Sequence, residues 1–193
     1  MKLYTYWRST TSYRVRIALN LKGLAYDSVP VDLVAGNQKD PTYTALNPMA
    51  GVPTLVMEDG TVLTQSMAIL GWLEATYPEP ALLPADPVTA AHMRAAAMVV
   101  ACDIHPVNNL KVGAKLKQMG HSQSDVVDWM NDWMTRGLAA FQTLIGDNTA
   151  FCFGDTSSIA DICLIPQLYN AHRWDCDLSP FARLTEIEAR CLA

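Results

Sequence analysis

The stretch VPTLVMEDGTVLT, residues 52–64, carries the strongest secondary-structure signal in the chain. Two runs rich in β-branched residues flank Asp59-Gly60, a dipeptide that suits a tight two-residue turn, so the stretch predicts a β-hairpin. Pro53 is compatible with this assignment, because proline is tolerated where a strand begins. The other strands and helices of the first eighty residues can be assigned relative to this hairpin.

The residues on either side of this hairpin alternate between strand and helix patterns. KLYTYW (residues 2–7) is rich in β-formers, and residues 13–22 have apolar side chains near helical spacing before Gly23. AYDSVPVDL (residues 25–33) predicts a second strand, with Pro30 favouring an edge position or an irregularity. QSMAILGWLEATY (residues 65–77) predicts a helix that ends at Pro78. The order strand, helix, strand, hairpin, helix is that of a thioredoxin-like unit.

The chain changes character after residue 78. Residues 78–87 hold four prolines and predict a linker. Long helical patterns follow over residues 88–119, 123–145 and 158–171, and His105-Pro106 within the first of them predicts a kink. The sequence therefore predicts an α/β thioredoxin-like domain over residues 1–80, a linker over 79–87 and an all-α domain over 88–193.

Composition excludes several classes of function. The chain of 193 residues is 50% hydrophobic and 17% charged, as is typical of a compact globular protein, and its net charge of −5 argues against nucleic acid or a membrane surface as partner. Five cysteines without CxxC spacing indicate free thiols, and we therefore expect a cytoplasmic protein. No apolar run reaches membrane-spanning length, and no ligand cluster has metal spacing.

An unusual run of hydroxyl residues, STTS at positions 9–12, stands where the first predicted helix begins. One hydroxyl is enough to cap a helix, and Ser12 alone could do so. The run is also surrounded by cations, namely Arg8, Arg14 and Arg16. Hydroxyls, cations and a helix N-terminus together favour a thiolate over its thiol. No cysteine stands nearby, so such a thiolate would have to come from a ligand.

These residues resemble the amino-terminal signature of the zeta-class glutathione transferases, the family of the maleylacetoacetate and maleylpyruvate isomerases. The resemblance covers essentially the whole chain. Its motifs are YWRSTTSYRVRIALNLKG, ALNPMAGVPTL, LTQSMAIL, LLPADP, DIHPVNNLKV, GDTSSIADICLIPQ and CDLSPF. Members of the family usually continue beyond the position of Ala193, and we expect the dimer and the pocket to tolerate the absence of a final helix.

The resemblance implies that Ser9 lies beside the sulfur of glutathione and donates a hydrogen bond that favours the thiolate. Thr10 is implied as a second contact. Thr11 stands where the family often has cysteine, and its hydroxyl can replace the polar contact of that residue but not its thiol chemistry. Ser12 is either a helper or only a cap. Tyr4 and Tyr6 alternate within a predicted strand, which favours packing roles.

The resemblance also implies a binding site for the rest of glutathione. Val52 pairs through its backbone with the cysteinyl unit, next to a cis peptide bond at Pro53. Gln65 and Ser66 open a helix that suits the γ-glutamyl carboxylate, with simple capping as the alternative. The remaining implied contacts are Gln38, His105 and Asn109.

A small dicarboxylate substrate requires cations as well as a thiol. The resemblance implies four substrate contacts: Arg8, Asn108, Lys111 and Arg173. Lys111 stands where relatives often have arginine, and it offers a point charge in place of a two-pronged contact. Arg14 and Arg16 are further candidates, although we expect some of these side chains to face solvent or carboxylates within the fold. Ser158 and Asp161 predict a capping box with a folding role only.

The function implied is a glutathione-dependent cis–trans isomerase of a maleyl ketoacid, either maleylacetoacetate or maleylpyruvate. Glutathione would add to the substrate and leave unchanged. We expect a homodimer that acts on a small dicarboxylate, with neither nucleic acid nor membrane as partner. One alternative is a conjugating transferase or dehalogenase, which would consume glutathione. A more distant alternative is a binding protein of the same fold without activity.

Overall fold

The computed structural model describes residues 1–193, and the chain divides into two compact units, Met1–Leu82 and Leu83–Ala193. The division falls inside the proline-rich segment at residues 78–87. The first unit contains all the strands of a four-stranded sheet, and the second is built from helices. The predicted fold class, an α/β thioredoxin-like domain followed by an all-α domain, is confirmed. No helix in the structure is long and apolar enough to cross a bilayer.

The sheet of the first unit has the order β2-β1-β3-β4, with β1 parallel to β2 and antiparallel to β3. Strand β2 lies at an edge, so the first of the two alternatives for Pro30 is correct. Leu3 of β1 pairs with Leu55 of β3, and both are fully buried. The elements are β1 (Lys2–Thr5), α1 (Thr10–Leu21), β2 (Asp27–Pro30), α2 (Pro41–Thr44), β3 (Thr54–Val56), β4 (Val62–Thr64) and α3 (Ser66–Thr76).

The hairpin formed by β3 and β4 has a longer loop than predicted. Met57 donates its N–H to the carbonyl of Thr61 (2.9 Å), and Gly60 donates to the carbonyl of Met57 (3.1 Å). Gly60 has a φ of 86°, so the three residues 58–60 form a loop with glycine in the left-handed region. The predicted hairpin is correct, but the predicted two-residue turn is wrong, because Asp-Gly can also form the end of a three-residue loop with glycine in the left-handed region.

A buried lysine ties the end of α1 to the end of α3. The ammonium of Lys22 is fully buried and donates to the carboxylate of Glu74 (2.9 Å) and to the carbonyls of Tyr77 (2.6 Å) and Pro80 (2.9 Å). An ammonium group has three protons, so each one has an acceptor. The charge is therefore compensated within the first unit.

The second unit does not contain the single helix predicted over residues 88–119. Its chain runs from α4 into a π-helical turn, Val99–Ile104, and the helical path then breaks. Pro106 has no N–H to continue the ladder, and the Asn109 side chain accepts the N–H of Lys111 and starts a new helix. The helices are α4 (Pro87–Met98), α5 (Leu110–Gln118), α6 (Gln123–Leu144), α7 (Ile159–Arg173) and α8 (Ala182–Leu192), the last of which was not predicted.

A glycine allows α6 to approach the π-helical turn closely. A Cβ atom added to Gly137 would overlap the side chain of Ile104, which is fully buried. We expect Gly137→Ala to lower the free energy of unfolding by about 1–3 kcal/mol, because the core must shift to admit the methyl group. Urea denaturation measures this change.

Gly71 in α3 is the matched control, because no atom lies within 4 Å of its added Cβ. Gly71→Ala should stabilise the protein by up to about 1 kcal/mol through its higher helix propensity. Equal effects of the two substitutions would contradict the close contact at Gly137.

Candidate active site

Ser9 is the capping residue of α1. It has an extended conformation (φ −72°, ψ 117°), and its Oγ accepts the N–H of Ser12 at 3.1 Å. The alternative that Ser12 is the cap is therefore wrong, and the Ser12 Oγ is buried without a hydrogen-bond partner. Capping uses the Ser9 oxygen as an acceptor and leaves its proton available for a second bond.

The hydroxyl proton of Ser9 points to the side chain of Thr11. The Ser9 and Thr11 hydroxyl oxygens are 2.9 Å apart, and Thr11 donates to the carbonyl of Val52 at 2.8 Å. Because the single proton of Thr11 is used at Val52, Ser9 must donate to Thr11. A thiolate near Ser9 would be a stronger acceptor than this neutral hydroxyl and could take over the bond. Thr10, the third predicted catalytic residue, has a buried side chain.

The loop before Pro53 is braced by two residues that the sequence analysis did not single out. The Tyr43 hydroxyl donates to the carbonyl of Gly51, and the Asn47 amide donates to the same oxygen at 2.9 Å. Burial raises the pKa of Tyr43, so it remains a donor at neutral pH. The peptide bond between Val52 and Pro53 is cis, as the resemblance implied. The motif ALNPMAGVPTL contains all these residues, but only the fold shows that Tyr43 reaches Gly51.

The start of α3 is the second feature of the site. Gln65 has a φ of 68°, and no side chain caps this helix. The Ser66 Oγ accepts a hydrogen bond from Nη1 of Arg14 at 3.3 Å, and both residues are buried. Arg14 therefore faces neither solvent nor a carboxylate, which were the two non-catalytic surroundings expected for it. Arg16 is partly exposed and donates to the Thr5 hydroxyl at 2.9 Å.

Two other predicted ligand contacts of the first unit have well-defined surroundings. Arg8 donates to the Tyr6 hydroxyl at 3.0 Å, and its guanidinium lies 4.9 Å from the centre of the Trp7 ring. The contacts with Tyr6 and Trp7 fix the cationic group of Arg8, which directly precedes Ser9 in the sequence. Gln38 donates to the carbonyl of Leu33 at 3.4 Å, and its Oε1 atom is buried without a partner.

The predicted residues of the second unit lie around the break before α5 and at the end of α7. His105 Nε2 and Asn109 Nδ2 are 3.5 Å apart. Lys111 and Arg173 are exposed, and Arg173 stacks on Trp174 with 5.0 Å to the ring centre. Asn108 is buried and donates to the carbonyl of Met130 at 3.2 Å, which is a packing contact with α6.

The first unit, which contains Ser9, has no cysteine. All five cysteines are free and lie in the second unit. Burial raises the pKa of Cys152 and Cys176, and that of Cys191 to about 11, so these three remain thiols at neutral pH. Within the first unit, a thiolate at Ser9 would have to belong to a ligand.

Comparison with known proteins identifies the family. Residues 8–76 match the family described as glutathione S-transferase, N-terminal domain. The chain is 49% identical over 189 residues to a maleylacetoacetate isomerase from Pseudomonas aeruginosa, covering 97% of this chain and 89% of that protein. The chain belongs to the glutathione S-transferase family.

Solved structures of related transferases place the chain within its zeta class. The holo structure of maleylpyruvate isomerase, a bacterial zeta-class glutathione S-transferase, superposes with a TM-score of 0.95 at 42% identity, covering 99% of this chain and 92% of that one. The maleylacetoacetate isomerase of Methylobacterium extorquens AM1, solved with malonate and glutathione bound, also has a TM-score of 0.95, at 38% identity and 100% and 92% coverage. The resemblance seen in the sequence is confirmed.

Proposed function

We propose that this protein is a glutathione-dependent cis–trans isomerase of a maleyl ketoacid, maleylacetoacetate or maleylpyruvate. The observation that supports this most directly is the hydrogen bond from Ser9 to the neutral hydroxyl of Thr11 at the start of α1. A bound thiolate could accept the same proton. Relatives that carry these two isomerase names cover almost the whole chain. The free helix start at Ser66 and the unpaired buried Oε1 of Gln38 fit a charged, amide-rich tripeptide.

Glutathione, when bound, would supply the thiolate needed for reversible addition to the cis double bond. The chain contributes positioning and electrostatics. Ser9 turns its proton from Thr11 toward the sulfur, and Val52 and Pro53 present the backbone edge next to it. Thr10, Gln38, Gln65, Ser66, His105 and Asn109 are the other proposed glutathione contacts. No side chain has to act as a general base.

The substrate carboxylates require cations, and we assign this role to Arg8, Lys111 and Arg173. Arg8 is held in place by Tyr6 and Trp7, while Lys111 and Arg173 are exposed. We leave Asn108 out of the proposed substrate contacts, because its amide is buried against the backbone of α6.

The proposal is tested by mixing the purified protein with each ketoacid, with and without glutathione, and following cis-to-trans conversion. We expect turnover only with glutathione, with no loss of the free thiol, since the thiol is returned in each cycle. S-methylglutathione, whose sulfur is blocked, should not support the reaction. Absence of turnover on both ketoacids would contradict the proposal, and stoichiometric loss of thiol would favour the conjugating transferase.

We also propose that the protein is a homodimer that works in the cytoplasm. The five free cysteines support a reducing compartment. The dimer rests on the family resemblance, and light scattering coupled to size-exclusion chromatography tests it. A single monomeric peak at micromolar concentration would contradict the dimer.

A further inference from the structure

Arg14 is a buried cation without a counter-ion in the protein. Its side chain is 1% exposed, and it forms no ion pair. Its Nη1 atom donates to Ser66, whereas Nε and Nη2 have no hydrogen-bond partner. A buried, incompletely bonded charge is costly, and an anion that bonded these nitrogen atoms would offset this cost.

Lys22, the residue that follows α1, is a buried cation whose charge is fully compensated within the chain. Its buried ammonium bonds to the carboxylate of Glu74 and to two backbone carbonyls. Arg14 and Lys22 lie on or next to α1, yet only Lys22 is compensated. The contrast indicates that the missing anion of Arg14 comes from outside the chain.

The one hydrogen bond of Arg14 leads to the start of α3. Of the eight α-helices, only α3 and α8 lack a side-chain cap; the other six are capped by Ser9, Asp40, Asp86, Asn109, Ser122 and Ser158. Helix α3 has none, so its positive end is available to an anion. Because the Ser66 Oγ accepts from Arg14, its own proton is left to bond to another acceptor, and the guanidinium polarises this hydroxyl.

We infer that Arg14 is a positioning residue for glutathione, which attracts the α-carboxylate of the γ-glutamyl unit through the Ser66 hydroxyl. The inference rests on the proposed function, because it takes glutathione as the ligand. Arg14 supplies the charge, Ser66 makes the contact, and the uncapped end of α3 adds its dipole. The cation remains uncompensated until the carboxylate arrives.

The test compares glutathione with an analogue whose γ-glutamyl α-carboxylate is a carboxamide. Isothermal titration calorimetry gives both dissociation constants for the wild type, Arg14→Met and Lys2→Met. The wild type should prefer glutathione about tenfold or more, as expected for hydrogen bonds to a charged group. Arg14→Met should reduce this preference to about threefold or less. Lys2→Met removes the same charge from an exposed position in β1 and should keep the full preference.

A second readout separates positioning from a structural role. Removing an uncompensated buried charge should leave the melting temperature of the free protein unchanged or higher, whereas loss of a structural residue would lower it. If Arg14→Met does not fold, Arg14→Lys takes its place in the test, because lysine lacks the guanidinium group that donates to Ser66. We expect its preference to fall at least threefold below that of the wild type.

An unchanged preference in Arg14→Met, or in Arg14→Lys where only that variant folds, overturns the inference. The proposed isomerase activity would be untouched by that result, because turnover is measured separately. A wild type that binds neither compound would overturn both.

Discussion

Replacing Ser9 with alanine should lower isomerase turnover roughly a hundredfold to a thousandfold, while weakening glutathione binding only a few fold. The loss is large because the hydroxyl of Ser9 is the donor that we assign to the sulfur, and removing one donor to a reacting anion has effects of this size. Binding should change little, since we propose that Ser66, Gln65 and Val52 contact other parts of the tripeptide. Steady-state kinetics and calorimetry on the same preparations measure the two effects.

Two variants separate this role from the capping of α1. Ser9→Gly retains most of the capping preference but lacks the hydroxyl, so it should lose activity as Ser9→Ala does. Thr11→Val removes the acceptor that holds the Ser9 proton in the free protein and should cost much less turnover. Equal losses of turnover and affinity in Ser9→Ala would refute the catalytic role, as would a bound thiol with the same pKa as in solution.

Replacing Asp161 with alanine should lower the free energy of unfolding by about 3 kcal/mol or more. The carboxylate is 2% exposed and accepts three hydrogen bonds, from the backbone N–H of Cys152 (2.9 Å) and from the N–H and hydroxyl of Ser158 (2.8 Å each). Alanine would leave two buried N–H groups unsatisfied, and each such group costs about 1–3 kcal/mol. Urea denaturation of the full chain gives the value.

Asp125 is the matched control for Asp161. It occupies the same position of a second capping box, at the start of α6, but its side chain is 54% exposed. Water can replace its hydrogen bond to Ser122, so Asp125→Ala should destabilise far less than Asp161→Ala. Similar losses for the two variants would show that burial is not what makes the first one important.

Local signals in the sequence predicted most of the fold. Alternation of strand and helix patterns, the hairpin and the prolines identified the thioredoxin-like unit, and Ser158 with Asp161 correctly predicted a capping box. The errors occurred where one local signal fits two structures. Asp59-Gly60 suits both a two-residue and a three-residue loop, and helical periodicity continues across Pro106 although the backbone there does not.

The site was predicted less completely because its contacts join distant parts of the chain. Crowded hydroxyls pointed to Ser9, but nothing local showed that Thr11 would donate to Val52 or that Ser9 rather than Ser12 would cap α1. Arg14 reaches Ser66 across 52 positions of sequence, so helical spacing alone could not distinguish a buried cation from a solvated one. The brace of Tyr43 on Gly51 depends equally on the fold.

The three acceptors of Lys22 have a consequence for synthesis on the ribosome. Glu74, Tyr77 and Pro80 are the last part of the first unit to be made, so the lysine side chain must stay hydrated until they emerge. If Lys22 were buried before these acceptors are available, its ammonium group would be unpaired in an apolar interior. We therefore expect the core around Lys22 to form only after Pro80 has left the exit tunnel.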